Sequence, residues 1–363
     1  MRYCVSIDWL SLFCRCSRGG WCECDNYNGE IGTALPYKYE VQTYGTRHYR
    51  HLVKVSYLEE EICEVQYDSY SAKVMPLDSV IVKFHNRLLY SRELWSIVEK
   101  FLSDHCLTVQ NISRIDLCAD FNAFRKYDCV QFIADFLSSK LRHKGRGLGG
   151  AYFNHYTKKI GRFSVGKLDY TGLSFGSRSS DARVYMYNKT LELNVEKDKP
   201  YIKDFWRCAG LDTTRDVWRL EVSLKSGAMK FKDKKTKAAI SCDLGTFEND
   251  ADMLRIFHTY RHKLFSFVLN RAGITNISRE PVIELFDNSP YYDRQVIRNV
   301  TGSTRTERIL IKQLWQMSKK YRALDDDVTE STAKGLAVDL ARGADLVRWF
   351  EYKRVRWTKP ERK

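Results

Sequence analysis

The sequence predicts an α+β fold: a curved, antiparallel-rich sheet with helices on one face, followed by a mainly helical C-terminal region. Three observations carry this. Up to about residue 142, strand-like and helix-like patterns follow one another in a β-α-β-α order. Three segments, Ser113–Phe121 (SRIDLCADF), Arg183–Lys189 and Val217–Lys225 (VWRLEVSLK), each set charged or aromatic side chains against aliphatic ones with period two. Beyond residue 250 this alternation gives way to helical spacing. The expected organisation is an α+β domain over 1–250 and a helical domain over 251–363.

Residues 3–13 and 38–58 read as strands from their β-branched and aromatic content, joined by a polar loop with Gly29 and Gly32. Val80–Tyr90 (VIVKFHNRLLY) reads as a strand with Lys83, His85 and Arg87 on one face. Ser91 caps a helix over Arg92–His105 that turns Leu94, Ile97, Val98 and Phe101 inward. A strand at 112–121 follows, then a helix at about 127–142 with Val130, Ile133, Ala134 and Leu137. Thr171–Glu192 contains two alternating runs around the turn Gly176-Ser177-Arg178-Ser179-Ser180. Past 250, Ala251–Asn270 and Arg305–Tyr321 are amphipathic, Leu324–Asp327 breaks the pattern, and Glu330–Arg356 resumes it with a break at Gly335 or Gly343.

In the three alternating segments one parity collects Arg114, Asp116, Cys118 and Asp120. The others give Arg183, Tyr185, Tyr187 and Lys189, then Arg219, Glu221, Ser223 and Lys225. If the strands are neighbours, Asp116, Asp120, Glu221 and Tyr187 share a surface. Converging carboxylates repel unless a cation lies between them, and all-oxygen ligands suit Mg²⁺ or Mn²⁺. A tyrosine flanked by cations is a candidate nucleophile. The alternative is a solvated antiparallel face, where such patterns are routine.

The ordered set Arg114-Ile115-Asp116-Leu117 with Asp120, Phe175–Ser180, Tyr187-Asn188-Lys189 with Glu192, and Trp218-Arg219-Leu220-Glu221 resembles the trans-acting replication initiator family of rolling-circle plasmids (Rep_trans type). Filamentous-phage initiators and certain conjugative-element relaxases share the pattern. The resemblance implies that Tyr187 attacks the DNA strand, leaving a 5′-phosphotyrosyl bond and a free 3′-OH. It implies Asp116 and Glu221 as ligands of a divalent cation, with Asp120 as a third. Arg183 and Lys189 then stabilise developing charge, while Arg114 and Arg219 orient the carboxylates. Tyr185 is a second tyrosine on the same face, so the nucleophile is not unique. The chain has no His-x-His pair, which fits a family whose metal is implied to be held by carboxylates. Residues 1–75 and those beyond about 250 carry no signature of the family.

The composition points the same way. A net charge of +15 and a pI near 9.2 call for a polyanionic partner, nucleic acid ahead of a membrane. Candidate DNA contacts are Arg142, Lys144 and Arg146 in the glycine-rich stretch 142–150, Arg178 in the turn, and Lys230, Lys232, Lys234 and Lys235. The glycine-rich stretch reads equally as a solvated loop. Tyr152, Phe153 and Tyr156 could stack on unpaired bases. No window approaches ~18 uncharged apolar residues and the N-terminus lacks a signal-peptide pattern, so a cytoplasmic protein is expected. Eleven cysteines without an export signal argue against a disulfide framework. Cys14-x-Cys16 and Cys22-x-Cys24 are poorer chelates than pairs with two-residue gaps, so reduced cysteines are read there rather than structural zinc.

The resulting expectation is an origin-nicking strand transferase acting on locally single-stranded DNA. Its alternatives are a metal-dependent nuclease without a covalent intermediate and a non-catalytic DNA-binding regulator. The C-terminal helices fit a DNA-reading pair, a packing domain, or a surface for a host helicase or for self-association as a homodimer, and the sequence does not choose.

Overall fold

A computed structural model describes residues 2–17, 21, 36–70, 76–144, 150–153, 171–177, 179–195, 198–272, 276–287, 290–296, 305–343 and 346–358. The chain divides into two compact units, Met1–Val296 and Ile297–Lys363. The expected junction at 250 therefore falls inside the first unit. Residues 250–264 form a helix whose Ile256, Phe257, Tyr260 and Leu264 are buried in that unit's core, so hydrophobic burial ties them to the sheet.

Among the described residues, the first eleven of the first unit's strands supply one ten-stranded sheet and one strand outside it. They are β1 (Tyr3–Cys16), β2 (Tyr37–Val41), β3 (Tyr49–Tyr57), β4 (Glu60–Ser69), β5 (Ser79–Phe84), β6 (Leu107–Phe121), β7 (Leu141–His143), β8 (Gly150–Phe153), β9 (Gly172–Phe175), β10 (Ala182–Asn188) and β11 (Trp218–Lys225). The sheet order is β2-β3-β4-β5-β1-β6-β11-β10-β9-β8, and every neighbouring pair is antiparallel. β1 and β6 are the long central strands, and the three segments singled out by alternation, β6, β11 and β10, lie side by side. β7 instead pairs with the strand Phe267–Leu269.

One face of this sheet is aliphatic, because Ile115, Leu117, Ala119, Val184, Met186, Leu220, Val222 and Leu224 all share the inward parity and are fully buried. The helices Leu94–Asp104, Cys129–Leu137 and Asp250–Leu264 cover it with Val98, Phe101, Phe132, Ile133 and Phe257. Asp128 caps the second of these by accepting from the amides of Val130 and Gln131. The opposite face carries the polar parity. Its Asp120 end is capped by the helices Lys189–Val195 and Pro200–Cys208, which form a small core of Leu193, Ile202, Trp206, Leu211 and Val217. A three-helix second unit, Arg305–Arg322, Asp327–Gly343 and Val347–Thr358, closes on Ile311, Ala337, Ala341, Leu346 and Phe350.

Several elements differ from the sequence reading. β4 (EEICEVQYDS) was not expected, since its outward Glu, Gln and Asp side chains mask the buried Ile62, Cys63, Val65 and Tyr67. Val80–Tyr90 is a strand only as far as Phe84, and Asn86–Leu89 is one helical turn. The helix at 127–142 ends at Leu137, and Leu141–His143 is β7. The helix from 251 stops at Leu264, and the break in the last helical stretch falls at Gly343. Cys14 and Cys16 are buried in β1, while Cys22 and Cys24 lie outside the described residues. Among the described residues no helix is long and apolar enough to cross a membrane.

A candidate strand-transfer site on the polar sheet face

The register brings the polar parity together. On β11, Ser223 lies opposite Asp116, Glu221 opposite Cys118, and Arg219 opposite Asp120 of β6. On β10, Tyr185 lies opposite Glu221 and Tyr187 opposite Arg219. The Tyr187 hydroxyl reaches diagonally and donates to Glu221 Oε2 at 3.0 Å. The turn leading into β10 needs Gly176, whose φ of +98° only glycine adopts without strain. At the far end Asn188 stops the strand: its side chain donates to Asp216 at 2.8 Å and accepts from the Leu191 amide at 2.9 Å. That cap starts the helix carrying Lys189, which is buried, ion-paired with Glu192, and set 5.5 Å from the Tyr187 ring centroid.

β1 adds a carboxylate that the sequence reading missed. Asp8 shares the parity of Ser6, opposite Cys118, and a register shift between Ile7 and Trp9 adds Trp9 to the same face. Asp8 accepts from Tyr90 at 2.9 Å, from Asn86 at 3.1 Å and from Arg219. Asn86 in turn accepts from Tyr201 at 2.8 Å and Lys199 at 3.2 Å. The signal available in the sequence was a lone aspartate sharing the parity of Ser6 in a mostly apolar strand.

The two aspartates of β6 are placed differently. Asp120 is fully buried, and both of its oxygens are taken: Arg219 Nε and a terminal guanidinium nitrogen donate at 2.7 Å each, and the Trp206 indole donates at 2.7 Å. That is the geometry of a structural ion pair. Asp116 is held from the side by Arg114, with Nε at 2.9 Å, and faces Glu221. Arg219 binds Asp120 and Asp8 together. Arg183 stacks over Tyr185 at 4.1 Å, so its charge is spent on that ring and not on Tyr187.

Electrostatics follow from this crowding. Burial, then the charges of Asp116 and Asp8, push Glu221 up to about 8. Burial raises Asp116 despite Arg114. Burial acts to raise Asp8 as well, but Arg219 and Lys189 outweigh it and leave it below the usual carboxylate range. Burial, reinforced by Glu221, holds the Tyr187 phenol well above its ordinary value. Because the folded chain binds the Glu221 proton more tightly than the unfolded chain, stability is lost as pH rises from about 4.5 through 8. In EDTA, Glu221→Gln should flatten that decline, by on the order of a few kcal/mol across the window. Urea titrations at stepped pH check this, and parallel curves for the two proteins would contradict it.

Among the described residues, the candidate DNA contacts lie on separate elements. Arg142 is exposed on β7, whose neighbour His143 stacks on Phe175 at 4.3 Å on the aliphatic side of the sheet. Lys144 donates to the Glu280 carbonyl at 3.0 Å. Lys230, Lys232 and Lys235 are exposed, and Lys234 pairs with Asp293 at 3.1 Å. Arg146, Arg178 and Tyr156 lie outside the described residues, and of Tyr152 and Phe153 only the backbone in β8 is described. Among the described residues, three potential metal-ligating side chains close to within 4.8 Å of one another at Glu61, Glu64 and His85. That trio is already compensated by Lys54 at 3.7 Å from Glu61 and Lys83 at 2.9 Å from Glu64.

No protein-family model matches the chain, and no curated protein sequence matches it. Among solved structures it is similar to the rolling-circle replication initiator protein from Geobacillus stearothermophilus. The identity is 14%, the match covers 78% of this chain and 93% of that one, and the TM-score is 0.42.

Proposed function

We propose that the chain is a DNA strand transferase of the rolling-circle initiator or relaxase type, with Tyr187 as its nucleophile. The observation that carries this reading is the Tyr187 hydroxyl donating to Glu221 on a face shared with Asp116 and Asp8. The phenol oxygen attacks phosphorus, its proton passes to Glu221, and the 3′-oxygen leaves and takes up a proton. The products are a 5′-phosphotyrosyl bond and a free 3′-OH. One phosphodiester is exchanged for another, so no ATP is required. Lys189 and Arg219 are the cations nearest the phenol and favour the phenolate.

Asp116 and Glu221, with Asp8 beside them, are oxygen donors of the kind that hold Mg²⁺ or Mn²⁺. Their mutual repulsion, expressed in the raised Glu221, is what a divalent cation would relieve. When bound there, such an ion supplies Lewis-acid polarisation of the scissile phosphate. Asp120, saturated by Arg219 and Trp206, is left as a positioning residue. Tyr185 stays as a second reading because it is the more exposed of the two tyrosines, Tyr187 being 6% exposed.

The test is incubation of the full chain with single-stranded DNA from its own replicon and Mn²⁺, followed by denaturing electrophoresis. A covalent, SDS-resistant adduct is expected. Cleavage without an adduct would replace this reading with a hydrolytic nuclease. Metal-independent binding without cleavage would replace it with a regulator.

A further inference from the structure

We propose that Trp9, flanked by Lys83 and Arg114, is a stacking contact for an unpaired base of the DNA strand held at the Tyr187 face. The inference extends the strand-transfer reading to a part of the chain outside the residues that carry the family resemblance. Trp9 lies on the polar face, opposite Asp116 in the β1–β6 register. Three strand spacings of about 4.8 Å separate β1 from β10, which places Trp9 roughly 14 Å across the sheet from the tyrosine strand. The candidate nucleophile and the indole therefore lie on the same side of the sheet.

The ring is only partly buried, and two cations sit against it: Lys83 Nζ at 4.6 Å and the Arg114 guanidinium at 4.5 Å from the indole. Each cation is also tethered to a carboxylate, Lys83 to Glu64 at 2.9 Å and Arg114 to Asp116 at 2.9 Å. The tethers fix both heads beside the ring. They leave further N–H donors on each, and the side chains are 28% and 40% exposed, so phosphate oxygens can reach them. The buried indole N–H finds no hydrogen-bond acceptor among the described residues, so packing and the two cations hold the ring. Phe13 and Ile81, opposite each other and partly buried, continue the apolar strip beyond it. A partly exposed aromatic ring with two cations against it, on a chain of charge +15, fits a base with its neighbouring phosphates. A duplex offers no free base face to such a ring, so the occupant is a single strand.

The measurement is fluorescence anisotropy of a labelled single-stranded oligothymidylate and of a duplex of matched length, in EDTA, with the full chain. Trp9→Ala should weaken single-strand binding about tenfold or more while leaving duplex binding within about twofold. Trp9→Phe should retain most of the affinity and guards against a loss caused by misfolding. Lys83→Ala, at a partly exposed position, should weaken single-strand binding and lower its salt dependence by about one counterion. Equal losses on single strand and duplex, or unchanged binding by a folded Trp9→Ala chain, would overturn the proposal. Because no cleavage is read, the two ideas fail separately. A chain that forms adducts but ignores Trp9 sinks only this inference. One that needs Trp9 to bind yet never forms an adduct sinks only the strand-transfer reading.

Discussion

Tyr187→Phe is expected to abolish the covalent DNA adduct, by about a thousandfold or more, while Tyr185→Phe leaves it within a few-fold of wild type. The substitution keeps the buried ring and its place beside Lys189, and removes only the oxygen that donates to Glu221. The stability cost should therefore stay near ~1 kcal/mol, the usual worth of one hydrogen bond. Equilibrium binding of single-stranded DNA should change little, because the nucleophile contributes to the reaction and not to the grip. Adduct yield, thermal midpoint and binding isotherm, measured on the same preparations, separate these quantities. Adduct loss in Tyr185→Phe alone would transfer the role to Tyr185, whose ring carries Arg183 at 4.1 Å. Retention in both single variants, with loss only in the double variant, would mean that either tyrosine can attack.

The parity of the three central strands was legible because a period of two is written directly into residue order. Ile115, Leu117 and Ala119 must oppose Asp116, Cys118 and Asp120 in any extended strand. The antiparallel sheet and the helices on its aliphatic side followed from that. What distinguishes Asp116 from Asp120 was not legible, since both occupy the same parity of one strand. The difference comes from the helix Pro200–Cys208, which lowers Trp206 onto Asp120 and leaves Asp116 to Arg114. Asp8 escaped notice for a related reason: its partners Tyr90, Asn86 and Arg219 reach it only through tertiary packing. Long-range pairings such as Arg219 with Asp8, 211 positions apart, are set by tertiary packing and carry no local signal. Charge runs such as Lys230–Lys235 are conspicuous in sequence, yet two of these lysines sit on a separate three-stranded sheet.

The largest stability effect should come from Arg219→Met, expected to cost about 3–5 kcal/mol or to prevent folding. Arg219 is fully buried, and its guanidinium is paired with Asp120, which is itself fully buried. It also binds Asp8 and the Tyr90 hydroxyl at 2.8 Å, so one side chain ties β11 to β6, to β1 and to the segment after β5. Methionine fills much of the volume but leaves two carboxylates facing one another without a charge between them. The cost is thus the desolvation of stranded anions more than the worth of the ion pair itself. That distinction can be measured, because a second substitution removes the stranded group. Arg219→Met with Asp120→Asn, which can still accept from the Trp206 indole, should recover a substantial part of the loss in urea denaturation. If the single variant loses under ~1 kcal/mol, the arginine is not the neutralising centre of the face. If the double variant is additive, Asp120 gains its stability from Trp206 alone and the coupling between β6 and β11 lies elsewhere in the sheet.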